Sequence, residues 1–324
     1  MPMKKFSVFF LTMLFCLTSV IPVFANQTTA VEKINEVENI LYGTEQKGSL
    51  LERVDNLEED INGNSTADAL LTRIDRMFYY VKGSYDSSVP SFLTKLNTIE
   101  WTFAEKLGEG PAKSRLEDVE SLILGRSDTG SLDDRLDVLL TMAFDSGDIE
   151  VQKAILPQDT LIKISTAQAL DSRTSREGEK VLFRAEDNIF IGDLLVIPKG
   201  AVGHGYIAKV SRAKNFGRNA KIEIEYTGIS AIDSTSVPIT VGELAKEATT
   251  SLAKAAGASV AGMVILGPVG IIGGAFIKGK EYHIPAGAVL YVQIEADTVV
   301  NGVYLPDASM NAHKDSPDNS YGGL

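Results

Sequence analysis

Apolar residues recur at helical spacing through the first half of the chain and at strand spacing through the second. In the first half Leu50, Val54, Leu57 and Ile61 form one stripe with period near 3.6. The stripe belongs to a unit that repeats. Val37-Glu38-Asn39-Ile40-Leu41-Tyr42-Gly43, then TEQKG and Ser49-Leu50-Leu51-Glu52-Arg53-Val54, matches a second stretch much further along, with no gap in register. That stretch is Val119-Glu120-Ser121-Leu122-Ile123-Leu124-Gly125, then RSDTG and Ser131-Leu132-Asp133-Asp134-Arg135-Leu136. A third copy follows the first at once, through Leu57-Glu58, Gly63, Leu70-Leu71, Arg73 and Asp75. A weaker fourth runs from Gly108 through Ser114 and Leu116-Glu117 to Leu122. Gly43, Gly63 and Gly125 follow apolar turns and suit the left-handed residue that closes a helix. Ser49, Ser114 and Ser131 stand at N-cap positions, with Glu52, Glu117 and Asp134 three positions on as capping-box partners. The pattern predicts helix, glycine loop, helix, repeated; such short helices must stack on one another or pair with another chain.

From Gln158 the period changes to two. Leu161–Ser165, Lys180–Ala185, Gly205–Val210 and Lys221–Tyr226 alternate as half-buried strands. Asp193–Ile197 and Ala288–Ile294 read as further strands beside Pro-Lys-Gly and Pro-Ala-Gly turns. The spacing predicts a small β-barrel or sandwich. Within it, Glu243–Lys254 predicts a helix that runs into an uncharged apolar stretch, 255–277. Gly267-Pro268 falls inside that run and favours a turn, giving a glycine-rich helical hairpin of two short arms. Gly257 with Ala261, and Gly270 with Gly274, are spaced by four, as is Gly262 with Ala258, which allows close helix approach. Three roles stand open for Gly257, Ala261, Gly262, Gly267, Pro268, Gly270 and Gly274: packing on the β domain, self-association, or membrane insertion. The expected fold class is α+β and multidomain. Residues 26–148 form a helical repeat domain and 149–300 a β-rich domain with an insertion at 243–279. Residues 301–324 are a disordered tail.

Charge separates the same two halves. The chain of 324 residues carries a net −12. Residues 26–148 hold 24 acids against 12 bases, whereas the remainder is close to neutral. This balance excludes a general nucleic-acid binder, which needs a basic face. Residues 1–25 pair Lys4 and Lys5 with an apolar run and a Val23-Phe24-Ala25 cleavage pattern, as a secretory signal peptide does. Cys16, the one cysteine, lies inside that run, so the exported chain holds no disulfide or thiolate metal cluster.

Chemistry-bearing patterns are sparse. His204, His283 and His313 are far apart in sequence, and no metal-ligand spacing or nucleophile motif is present; no catalytic residue, cofactor or metal is expected. Asp60-Ile61-Asn62-Gly63-Asn64 with Asp68 resembles a calcium loop, but its glycine falls fourth instead of sixth, so a plain loop is expected. Asp171, Glu177, Glu186 and Asp193 are the carboxylates available for glycoside chemistry. Arg53/Asp55, Arg73/Asp75 and Arg135/Asp137 recur, and predict solvated faces with some inter-helix bridges. Phe78, Tyr79, Tyr80 and Trp101 are expected in the core or between repeats.

The run LDSRTSREGEKVLF through GDLLVIPKGAVGHGYI, the glycine-rich stretch and IPAGAVLYVQI resemble the C-terminal domain of exported bacterial proteins. The IPKGAVGHG and IPAGAVL turns with an apolar insertion are also similar to outer-channel subunits of type IV secretion systems. In that family the insertion forms a membrane pore; this sequence departs from it in lacking a Pro-rich linker. The helical repeats resemble those of exported envelope proteins of diderm Firmicutes. These resemblances imply a periplasmic, outer-membrane or surface location and an envelope protein, or a second copy, as partner. The leading expectation is a non-enzymatic scaffold or interaction module. A channel or secretion component, and a carbohydrate-active enzyme, are the rivals.

Overall fold

The computed structural model describes residues 28–83, 89–212, 220–255, 264–265, 271–272 and 283–305. The signal-like segment therefore lies outside the described residues, as do all seven residues named above in the apolar run.

Helices come first: α1 (Ala30–Tyr42), α2 (Leu50–Asn62), α3 (Leu70–Lys82), α4 (Phe92–Ala104), α5 (Ala112–Leu124) and α6 (Leu132–Ala143). Their starts are evenly spaced along the chain, except for a slightly longer step from α3 to α4. Most of the expected punctuation is present where it was read. Gly43, Gly63 and Gly125 close α1, α2 and α5 with φ of 76°, 77° and 71°, the left-handed region glycine adopts without a Cβ clash. Ser49 Oγ accepts from Glu52 N at 3.3 Å and Ser131 Oγ from Asp134 N at 3.2 Å. Ser114 does not cap. It lies inside α5, whose N-cap is Pro111, because the proline ring fixes φ at −65°, ready for a helix start, and its missing N–H costs the helix nothing. The fourth repeat is thus a full one. A further repeat, α4, escaped the pattern because Glu105, at φ 56°, takes the place of the closing glycine.

The second half holds β1 (Val151–Leu156), β2 (Leu161–Thr166), β3 (Leu170–Asp171), β4 (Lys180–Ala185), β5 (Ile189–Ile191), β6 (Leu194–Ile197), β7 (Val202–Ser211) and β8 (Lys221–Ser230). After these come β9 (Ser236–Val237), β10 (Ile239–Thr240), helix α7 (Glu243–Ala255), β11 (Val264–Ile265), β12 (Ile271–Ile272), β13 (His283–Ile284), β14 (Val289–Ile294) and β15 (Thr298–Tyr304). One sheet runs β10-β14-β2-β4-β7-β8-β9, with antiparallel neighbours throughout. Its two end strands are halves of one segment broken at Pro238, which lacks a ladder donor. The segment pairs with β8 through Ile229↔Val237 and with β14 through Ile239↔Ile294, so the sheet curls into a nearly closed barrel. Its interior is apolar, with Ile162, Ile164, Phe183, Ile207, Ile224, Leu290 and Val292 buried. Gly203 makes room for Phe183: a Cβ there would stand 1.8 Å from the ring. Helix α7 lies along β14, where Thr249 Oγ1 accepts from Tyr291 N at 2.9 Å.

A second sheet, β1-β15-β6-β5, stands between the barrel and the helices. Its last strand reaches Tyr304, and Leu305 is buried, so residues 301–305 belong to the β domain and not to a tail. The hydrophobic alternation simply continues past the expected boundary. In the apolar run, the expected helical arms are met at the four described residues by an antiparallel strand pair, Val264↔Ile272 and Ile265↔Ile271.

The boundary near residue 148 separates helices from strands, but no gap in packing accompanies it. Ile149, Leu195, Ile232, Val303 and Leu305 share one apolar cluster with the helices. In return Leu107, from the α4–α5 loop, sits in the barrel cluster.

Candidate functional site

The helical array is organised by a buried charge ladder. The ninth residue of four helices is a buried glutamate: Glu38, Glu58, Glu100 and Glu120. Each accepts from the guanidinium Nε of the fourth residue of the next helix, Arg53, Arg73, Arg115 and Arg135, at 2.8, 3.1, 2.8 and 2.9 Å. Each also accepts a backbone N–H from the intervening loop, from Gln46, Thr66, Gly108 and Asp128, at 2.8 to 3.1 Å. The rung therefore fixes both the helix and the turn that leaves it. Burial alone would push the Glu58 carboxyl up; Arg73 and the Thr66 N–H and hydroxyl outweigh this and hold it below the usual range. The recurring arginines expected on solvated faces are instead these rungs, with Arg73 and Arg135 buried. The aspartates two positions on do bridge at the surface, Asp75 to Lys33 at 2.6 Å and Asp137 to Lys95 at 3.4 Å. Glutamate five positions before the closing glycine was the sequence signal for the ladder; its apolar neighbours gave no hint of burial.

The junction with the β domain is the second dense region. Asn97 Nδ2 donates to the Ile232 carbonyl at 2.8 Å, and Trp101 Nε1 to Asn188 Oδ1 at 2.8 Å. The Trp101 ring meets Phe190 edge-on. Leu107 N donates to the Lys199 carbonyl at 3.0 Å, with Gly200 so near that a Cβ would stand 2.9 Å from that nitrogen. A small crevice of about 120 Å³ opens at the junction between Lys82, Asp233 and Asn301. Asp233 is engaged, accepting from Thr235 N at 3.0 Å and Asn301 N at 2.7 Å. Trp101 thus belongs to the module junction. Tyr80 donates to Asp133 between helices, Phe78 is half-buried, and Tyr79 is 49% exposed.

The residues weighed for chemistry are dispersed. Asp60 accepts from Tyr42 Oη at 2.8 Å and Asp68 pairs with Arg76 at 2.6 Å, so both carboxylates are already engaged; Asp60, Ile61 and Asn62 end α2, and the expected plain loop begins only at Gly63. Among the described residues no group of three or more His, Cys, Asp or Glu is placed to hold a metal. Asp171 is held down to about 2 by the Arg173 guanidinium and backbone N–H. Glu177 accepts from Val210 N at 3.2 Å. Glu186 and Asp193 sit in the turns after β4 and after β5. His204, on the outer barrel wall, lines a shallow cleft with Lys180, Tyr206 and Thr227. Burial and then Lys180 push its imidazole below the ordinary value. His283 lies 3.8 Å from Asp171 in the β13–β3 ladder, where the chain returns from the apolar run. Among the described residues no helix is long and apolar enough to cross a membrane.

No protein-family model matches the sequence, and no curated protein is significantly similar to it. Among solved structures it is similar to ComB10 of the Com type IV secretion system of Helicobacter pylori, at 17% identity and a TM-score of 0.25. That match covers 44% of this chain and 88% of the other.

Proposed function

We propose that this chain is a non-enzymatic, exported envelope scaffold, in which a rigid acidic helical array is held in fixed relation to a barrel that bears an apolar arm. The observation that carries the reading is the interlocked junction: Leu107 in the barrel core and Ile232 in the helical core make one stiff body of two modules. Buried carboxylates support the same reading. Glu38, Glu58, Glu100, Glu120 and Asp233 each accept from arginine or N–H partners, an arrangement that holds geometry. The apolar run begins at the end of α7, which is hydrogen-bonded to barrel strand β14, and ends at β13, which pairs with β3. An outer-membrane channel is the second reading, and this arm is what favours it.

Cell fractionation with a carbonate wash tests the proposal. The intact chain is expected in the envelope fraction, resistant to carbonate, and a variant lacking 256–282 is expected to be folded and released. Full recovery of the intact chain as a soluble periplasmic monomer overturns the anchoring role. Closed rings in detergent would favour the channel.

A further inference from the structure

Among the described residues, the array is a stack of two layers, open at both ends. Helices α1–α3 and α4–α6 are related by one constant shift in register: Lys33–Asp75 in one layer becomes Lys95–Asp137 in the other. The layers meet C-terminal ends to N-terminal ends. The eleventh residues of α2 and α3 face the second residues of the helices three further on, α5 and α6. Asp60 pairs with Lys113 at 3.2 Å, Tyr80 donates to Asp133, and Ile40 and Leu93 occupy the equivalent positions in the same apolar cluster. Caps mesh across the same joint, with Gly43 against the Pro111 ring and Gly63 against Ser131.

Burial follows this joint. Second-layer N-caps Ser91 and Ser131 are buried, whereas first-layer N-caps Thr29, Ser49 and Ala69 are exposed. The second residues of α1, α2 and α3 are Val31, Leu51 and Leu71, exposed by 47, 52 and 64%. At the other end, the eleventh residues of α5 and α6 are Leu122 and Met142, exposed by 62 and 53%. Terminal repeats of a solenoid ordinarily turn a polar face outward; here both ends are apolar. The equivalent position of α4, Thr102, lies beside the docked β domain and is half-buried.

We infer that the array associates head to tail with a second copy of itself, repeating between chains the joint that already exists within one. The occupant is set by register. Advancing one layer places Leu122 on Leu51 and Met142 on Leu71, apolar against apolar, where the internal joint has Asp60 on Lys113 and Tyr80 on Asp133. Helix N-termini then meet helix C-termini, so the peptide dipoles also favour the contact. Such a contact is heterologous, head on one surface and tail on another, so it propagates from molecule to molecule. It uses the helical module alone and stands or falls independently of the envelope reading and of the apolar arm.

Two sets of variants test this in the full exported chain. Both side chains are more than half exposed, so Leu51→Glu and Leu122→Glu are expected to melt like the parent. By sedimentation velocity the parent mass rises with concentration, and each variant alone falls to the mass of one chain. An equimolar mixture of the two recovers twice that mass and no more, because one intact head meets one intact tail. Cysteines report the geometry directly, since the only native cysteine is Cys16. Leu51→Cys mixed with Leu122→Cys crosslinks to a dimer on mild oxidation, and neither variant crosslinks alone. A parent that stays monomeric at every concentration, crosslinking of Leu51→Cys with itself, or association untouched by Leu122→Glu overturns the inference.

Discussion

Each rung of the ladder takes a carboxylate and most of a guanidinium out of water, and the energetics of such pairs are asymmetric. Replacing both partners with apolar groups of similar size is often neutral, whereas removing one leaves a buried unpaired charge. Arg73→Ala is therefore expected to cost about 3–5 kcal/mol, read by chemical denaturation, and Glu58→Leu with Arg73→Met to recover most of it. Acid should act on the same rung. Glu58 titrates lower in the folded chain than in the unfolded one, so its contribution is complete above about pH 4.3 and is lost as pH falls through the lower folded value. Circular dichroism against pH should show the helices destabilised in that acid range, and less so in the apolar double variant. The chain displayed Glu38, Arg53 and their counterparts as repeated letters. Which arginine would reach which glutamate depends on how the loop returns, and that distance is set in three dimensions.

The helices were the most legible elements, because glycine and serine mark their ends by local backbone chemistry. Ser114 shows the limit of that logic: a serine three positions late fits the letter pattern, but the preceding proline had already started the helix. Strands β2, β4, β7 and β8 were legible through alternation. Closure of the barrel was not, because it depends on Pro238 splitting one segment between two neighbours. Gly203 in β7 was read as part of a turn motif, yet its role is to admit the Phe183 ring, which stacks edge-on to Tyr226. Gly203→Ala forces a methyl into that ring. The expected loss is about 1–3 kcal/mol from overpacking, measured by thermal denaturation, with Phe183→Leu in the same chain restoring part of it.

At the scale of the whole molecule, the charge contrast separates the helical half from the strand half but carries no information on how closely they pack. Contact supplies it: the two apolar clusters each draw residues from both halves. Composition cannot reveal this, because Leu107 and Ile232 look like any loop or strand residue until they are docked. The junction predicts one cooperative thermal transition for the intact chain. Leu107→Ala removes a side chain from the barrel core and should cost about 2–5 kcal/mol. Calorimetry should then separate barrel melting from helix melting; a single unshifted transition would show the junction to be passive.

A stack built in steps of three helices grows only by whole storeys. Duplicating one such step would raise the array by a layer and leave the same two end faces. Duplicating a single helix with its loop would preserve the rungs, yet it would slide the wrong helix beneath the barrel. Asn97, Trp101 and Leu107 occupy one place in the layer, and that place is where the barrel is seated. The molecule is a ruler with coarse graduations, its height adjustable by whole layers while its fitting stays fixed.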